Sequence, residues 1–293
     1  MGYFIKLDQV FTPPEIDMEY ICNIGKGCFK FLECFYELNY SSGEFYDDYY
    51  ISSSIIVLTL SEDEDYAKQD LLKSIKCLSF VLQTSFHLLL NQLESIQHVD
   101  VPKPIRQSVS NLDADILAKI KKFEVMFLKL PNAYMLIEFI DYYCSGLHFE
   151  ATNKSLHVSY LEYFKVVEIL ANKEFRSNTI AQDETTKLIK MLLNKKAQLS
   201  ASKIETYANG INKTINSMLS TDTYYKIGYY LSSNKIKYDA DNLALLVKTR
   251  NDLAHGNIKA LDDKNLLCDI KNLSYQIIFS YVKNHIKTKE RHS

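Results

Sequence analysis

Residues 246–257 read Leu246-Val247-Lys248-Thr249-Arg250-Asn251-Asp252-Leu253-Ala254-His255-Gly256-Asn257. Leu243, Leu246, Val247, Leu253 and Ala254 recur at helical spacing, Asp241 ahead of them reads as an N-cap, and Gly256-Asn257 reads as a C-terminal stop. The stretch is therefore the end of a helix running from Asp241 to His255. Its last turns carry an arginine, a small amide and a histidine. A guanidinium is a permanent cation able to hold a phosphate through parallel hydrogen bonds, and an imidazole exchanges protons near neutral pH. The combination suits scission of a phosphodiester by protein groups alone, with no metal and no cofactor.

Working outward, the chain beyond Pro131 is helix after helix: Asn132 to Leu147, Ser155 to Asn172, Asp183 to Lys196, Ser200 to Leu219, Asp222 to Leu231, Asp241 to His255 and Lys264 to Ile286. Residues 131–288 thus read as an all-α bundle. Upstream, the pattern from Tyr3 to Leu60 is short, aromatic and β-branched, with turn signals at Pro13-Pro14 and Ser41-Ser42-Gly43 and a strand candidate from Tyr50 to Leu60. Ile21 to Leu38 fits neither period, so helix and hairpin both stay open there. An acidic start at Ser61 to Asp65 opens a helical stretch extending to Ile96, with Ala67, Leu71, Ile75, Leu78, Val81 and Leu82 on its core face. Val101 to Pro104 is a linker, and Ala114 to Leu128 a further helix. The expected class is α+β, with a β-containing module over residues 1–130 ahead of the helical domain.

A chain of 293 residues with 47% hydrophobic composition can build a real core. Its net charge of −2 gives no global attraction to nucleic acid, so any such contact needs a local basic patch. The six cysteines, Cys22, Cys28, Cys34, Cys77, Cys144 and Cys268, show no CxxC pair and no zinc-ligand spacing, and read as reduced, mostly buried thiols. No stretch suggests a secretory leader, a membrane span or, with Lys6 where Ser or Thr is wanted, a myristoylation signal on Gly2. A cytoplasmic protein without membrane contact is expected.

Taken by itself, the 246–257 pattern also reads as a helix end that binds nothing, since cations favour a helix C-terminus and Arg250 can pair with an acidic neighbour. At about 100° per residue, Asn251 and His255 share one face while Arg250 lies roughly 140° around from His255. Convergence of Arg250 and His255 on one atom would follow if two copies of the helix faced each other across a two-fold axis, which implies a homodimer. Lys248 and Lys259 bracket the motif and would add local positive potential. Tyr224, Tyr225, Tyr229 and Tyr230, beside Lys226, Lys235 and Lys237, read either as base-stacking residues or as helix packing; Tyr229 is the substrate-contact candidate among them. His148, Glu150 and His157 suggest a metal site but lack a further ligand at suitable spacing. Gly25-Lys26-Gly27-Cys28 lacks the frame of a phosphate loop and reads as a turn.

Arg250-Asn251-Asp252-Leu253-Ala254-His255-Gly256 resembles the R-x4-H signature, often R-N-x-x-x-H-G, of HEPN-domain proteins. The helix ending at Leu130-Pro131 and the amphipathic run Leu161-Glu162-Tyr163-Phe164-Lys165-Val166-Val167-Glu168-Ile169-Leu170 resemble the Apea-like HEPN group, in which an LE-x-L-like helix packs beside the R-x4-H helix. Ala67 to Phe86 is similar to a helix in the variable N-terminal region of such proteins. The resemblance covers Asn132 to Ile286, and the first 130 residues only weakly. It implies a HEPN helical bundle that dimerises and, as in many members, a metal-independent endoribonuclease serving antiviral abortive infection, toxin–antitoxin pairs or stress responses. His255 would then be the acid/base group, Arg250 the cation on the phosphorane, and Asn251 the residue that orients ring or phosphate. Glu168 would either anchor Arg250 from the facing helix or stand as a solvated helix-face carboxylate, and Asp252 would be a further supporting residue. RNA and a regulatory or antitoxin-like protein are the implied partners. Some HEPN domains cut nothing and only bind RNA, nucleotides or proteins, and that reading stays open beside the first.

Overall fold

The computed structural model describes residues 2–11, 27–45, 48–59, 61, 63–85, 97–99, 113–130, 133–151, 155–177, 182–197, 200–261 and 264–290. Five strands, β1 (Gly2–Phe11), β2 (Gly27–Phe31), β3 (Cys34–Phe45), β4 (Asp48–Thr59) and β5 (Gln97–Val99), form one sheet in the order β2-β3-β4-β1-β5. All its pairings are antiparallel. Nine helices are described: α1 (Glu64–Leu82), α2 (Ala114–Leu128), α3 (Tyr134–Ala151), α4 (Leu156–Ser177), α5 (Gln182–Ala197), α6 (Ala201–Thr221), α7 (Thr223–Ser233), α8 (Ala240–Ala254) and α9 (Lys264–Glu290). A 3-10 turn, Ile258–Leu261, precedes α9. The chain is thus mainly helical with one antiparallel sheet. No described helix is long and apolar enough to cross a membrane.

The fold divides into two compact units, 1–162 with 281–293, and 163–280. This corrects the expected boundary at residue 130. Helix α3, expected to belong to the C-terminal bundle, packs on α1 instead. Phe80 meets Tyr143 edge-on at 5.2 Å, Lys76 pairs with Asp141 at 2.6 Å, and the Cys144 thiol donates to the Lys76 carbonyl at 3.4 Å. Helix α3 buries Leu136, Phe139, Ile140, Tyr143, Cys144 and Leu147, an apolar girth that shows burial but names no partner.

In the first unit, aromatic rings knit sheet to helices. Phe31 lies 6.3 Å from Phe123, and Phe80 lies 5.6 Å from Phe123. At the centre the Ser74 hydroxyl donates to the Phe31 carbonyl at 3.0 Å, so its single proton is spent and the Tyr36 hydroxyl must donate to Ser74 Oγ, 2.6 Å away. The ambiguous segment resolves as a hairpin: β2 and β3 are joined by Leu32 and Glu33, both at positive φ (46° and 65°), the conformation a type I′ turn demands. Neither residue is the Asn or Gly that usually signals such a turn. The Leu32 amide is held by the Glu124 carboxylate of α2 at 2.7 Å, which offsets the strain.

Three further expectations change. Ser41-Ser42-Gly43 is no turn but lies inside β3, opposite Ser52, Ile51 and Tyr50. The helix expected to reach Ile96 stops at Leu82, because Gln83 turns left-handed (φ 53°) and Gln83 and Thr84 donate back to the Phe80 and Ser79 carbonyls. Its core face is as read: Ala67, Leu71, Ile75, Leu78, Val81 and Leu82 are all buried. The 101–104 linker and Gly25-Lys26 lie outside the described residues.

Removing Ser74 strands two buried groups at once, whereas Tyr36→Phe removes one donor and leaves Ser74 bonded. Ser74→Ala is expected to destabilise the chain by about 1–3 kcal/mol and Tyr36→Phe by about 1 kcal/mol in urea unfolding. The reverse order would contradict the proton assignment.

Candidate functional site

In the second unit, α8 opens on Asp239, not Asp241: the Asp239 carboxylate accepts from the Asn242 amide at 2.7 Å. Leu243, Leu246, Val247, Thr249 and Leu253 form its buried stripe. The helix closes at His255, whose N–H donates to the Asn251 carbonyl at 3.1 Å. Gly256 then adopts φ +87°, and Gly256 and Asn257 donate to the carbonyls of Leu253 and Asp252 at 3.0 and 2.9 Å, a Schellman closure. A Cβ on Gly256 would meet nothing within 4 Å, so the glycine is there for its backbone angle rather than for space.

Arg250 and Glu168 meet between α8 and α4. Arg250 Nη2 donates to both Glu168 oxygens, at 3.0 and 2.9 Å, and the two side chains are only 30% and 26% exposed. Arg250 Nη1 donates to Asn251 Oδ1 at 3.1 Å, and the guanidinium carbon lies 5.9 Å from the centre of the Phe164 ring. The cation is thus fixed from three sides. Both terminal nitrogens are engaged, and the bonds described leave Nε–H and one Nη1–H, on different sides of the guanidinium, as open donors. His255 is exposed at the end of the same helix, as are Asn251, Lys248 and Lys259, while Asp252 is half-buried. Asn251, expected to orient ring or phosphate, engages the guanidinium with its carbonyl oxygen.

The tyrosines divide. Tyr230 is buried, and Tyr225 and Tyr229 stand edge-on to Phe175 at 6.0 and 5.9 Å, with Lys226 bonded to Asn172 at 2.9 Å. These contacts are helix packing, with Tyr229 half-buried beside Phe175. His148, Glu150 and His157 belong to the first unit, and no cluster of three His, Cys, Asp or Glu that could hold a metal occurs among the described residues.

A cleft of about 300 Å³ lies between the first turns of α8 and the face of α9. Asn242, Asp269, Asn272 and Gln276 line it with Tyr238, over a floor that includes Leu243, Leu246 and Leu273. Asn242 Nδ2 donates to Asp269 Oδ2 at 3.1 Å and ties the two helices together. The signal in the sequence is a polar stripe at 269, 272 and 276, spaced like a helix face, but α9 carries other polar residues such as Lys271 and Lys283, so the stripe does not stand out as a site.

Two stability tests follow from this geometry. In a double-mutant cycle by urea unfolding, Glu168→Ala and Arg250→Ala should show a coupling of about 1–3 kcal/mol, and purely additive effects would deny the ion pair a role in docking α4 on α8. Gly256→Ala should cost about 1 kcal/mol by forcing a side chain into the left-handed region. Compared with protein-family models, curated proteins and solved structures, the chain matches none.

Proposed function

We propose that this protein is an endoribonuclease of the HEPN type, in which Arg250 and His255 act on the phosphodiester of RNA. The observation that carries the proposal is a guanidinium held in place by Glu168 and Asn251, five residues before an exposed histidine that closes the same helix. A pre-fixed cation stabilises charge that develops in a transition state without reorganising as the reaction proceeds. The 2′-hydroxyl loses its proton to an imidazole and attacks phosphorus. The bond from phosphorus to the 5′-oxygen breaks, and that oxygen takes a proton from a second imidazole. The products are a 2′,3′-cyclic phosphate and a 5′-hydroxyl end. Because Arg250 and His255 point about 140° apart on one helix, two copies of α8 share the cleft, and the second imidazole is the second copy's. The role that follows is a defence, toxin or stress effector in the cytoplasm, regulated by the sheet-bearing unit or by an antitoxin-like partner.

One observation favours a second reading. Glu168 already neutralises Arg250, as it would in a HEPN module that binds RNA, nucleotide or a protein partner without cutting.

Cleavage of a mixed RNA pool separates the two. His255→Ala should lower the rate at least about a hundredfold and Arg250→Ala about as much, with far-UV circular dichroism unchanged. EDTA should leave the wild-type rate alone, and the all-deoxy version of a cut RNA should survive. Equal cutting, or none, by wild type and His255→Ala under all conditions tried would end the enzyme reading. Loss of wild-type cutting in EDTA would retain an enzyme but end this mechanism.

A further inference from the structure

The cleft between α8 and α9 combines three properties that a nucleobase requires. Its floor is apolar: Leu243 and Leu246 are buried and Leu273 is half-buried. One wall is a tyrosine ring in a defined position. Gly228 leaves room for the Tyr238 hydroxyl, which a Cβ there would approach to 3.2 Å, and the Tyr238 ring lines the cleft at 40% exposure, accessible for stacking. The other wall is polar and ordered, with the half-buried Asp269 carboxylate beside Asn242, Asn272 and Gln276. A volume of about 300 Å³ is at the small end of ligand sites and suits a single base rather than a larger molecule.

Asp269 selects among bases. A carboxylate only accepts hydrogen bonds, and its oxygens retain lone pairs after Oδ2 accepts from Asn242. Guanine alone presents two adjacent donors, the ring N1–H and the exocyclic amino group, to such a pair of oxygens. Adenine places an acceptor beside its amino group, cytosine does the same, and uracil offers one donor between two acceptors. The amides of Asn272 and Gln276 supply donors for the guanine O6. We propose that this cleft binds a guanine base, stacked on Tyr238 and read by Asp269.

Its place on α8 links it to the Arg250 centre. Asn242, Leu246 and Arg250 are spaced i, i+4, i+8 and run along one stripe of the helix, with Asn242 about 12 Å from Arg250 at 1.5 Å per residue. A guanine held here belongs to a nucleotide near the scissile linkage. The inference rests on the ribonuclease reading for its polymer, while the binding of the base itself is measured without any cutting.

The test is calorimetric titration of the full-length protein with the 5′-monophosphates of guanosine, adenosine, cytidine and uridine. The guanosine form should bind at least about tenfold tighter than the other three, the discrimination expected of one good bidentate base contact. Asp269→Asn, which turns one acceptor into a donor, should erase that preference. Asn272→Asp, which removes a donor facing O6, should weaken guanosine binding while the melting temperature reports that the fold persists. Equal affinity for all four nucleotides, no binding of any at millimolar concentration, or an unchanged preference in a folded Asp269→Asn protein would overturn the pocket. A protein that binds guanosine monophosphate but never cuts RNA sinks the nuclease and keeps the cleft. One that cuts RNA beside every base alike and ignores the nucleotide does the opposite.

Discussion

The Glu168–Arg250 pair decides how α8 presents its last two turns. Two opposite charges, each about 70% covered, are brought together from helices 82 residues apart in sequence. Taking either charge out of water alone costs several kcal/mol, while the pair together gains little over an apolar contact of similar size. The interaction therefore contributes less to net stability than to uniqueness: α4 and α8 cannot slide or rotate past one another without stranding a charge. Phe164, on the same face of α4 as Glu168, lies against the guanidinium and shields it further. Ser274 adds a second constraint nearby, donating to the Tyr163 carbonyl at 2.7 Å and so fixing α9 against the start of that stretch of α4.

A fixed cation has a cost for binding. An oxyanion approaching Arg250 would meet a charge already balanced by Glu168, and would gain only the hydrogen bonds that the remaining N–H groups can give. Under the proposed reading, affinity for RNA would then come from the exposed Lys248 and Lys259 and from contacts remote from the linkage, leaving Arg250 for charge that develops during reaction. A chain of net charge −2 would need such local cations to hold a polyanion.

Much of this was legible in the sequence, and the failures have physical causes. Helix α2 has the bounds that periodicity predicts, Ala114–Leu128, because Asp113 caps its start through two amides. Helix α1 was overextended because the left-handed residues that close it, like Lys235 after α7, are a glutamine and a lysine whose side chains carry no turn signal. Gly256 was readable as a stop for the opposite reason. The hairpin turn at Leu32-Glu33 was hidden because a remote carboxylate, Glu124, holds it. Of the site, Arg250, Asn251 and His255 lie within six residues and form a visible pattern, and the facing carboxylate Glu168 could be named from an amphipathic helix. Asp269 and Tyr238 could not, since their juxtaposition depends on how α8 and α9 pack, which no local period encodes.

The two units also differ in how they use polar groups. In the first, several close on one another, Tyr36 on Ser74, Ser74 on the Phe31 carbonyl, Cys34 on the Asp70 carbonyl at 3.7 Å and Cys144 on the Lys76 carbonyl, although the buried Ser85 and Ser159 hydroxyls find no partner among the described residues. Burial pushes the Cys34 thiol up to about 12, and it also raises Cys77 and Cys144 well above their ordinary values, so these groups hold their protons and offer no thiolate for chemistry. In the second unit the polar side chains of α8 and α9 stand at the surface in an ordered row. Even the exposed thiol, Cys268, is drawn into it, accepting from Asn272 Nδ2 at 3.4 Å. A network that satisfies itself rigidifies a core. One at the surface keeps donors and acceptors that water satisfies and that a ligand could take over, which is why the proposals made for this chain lie in the second unit.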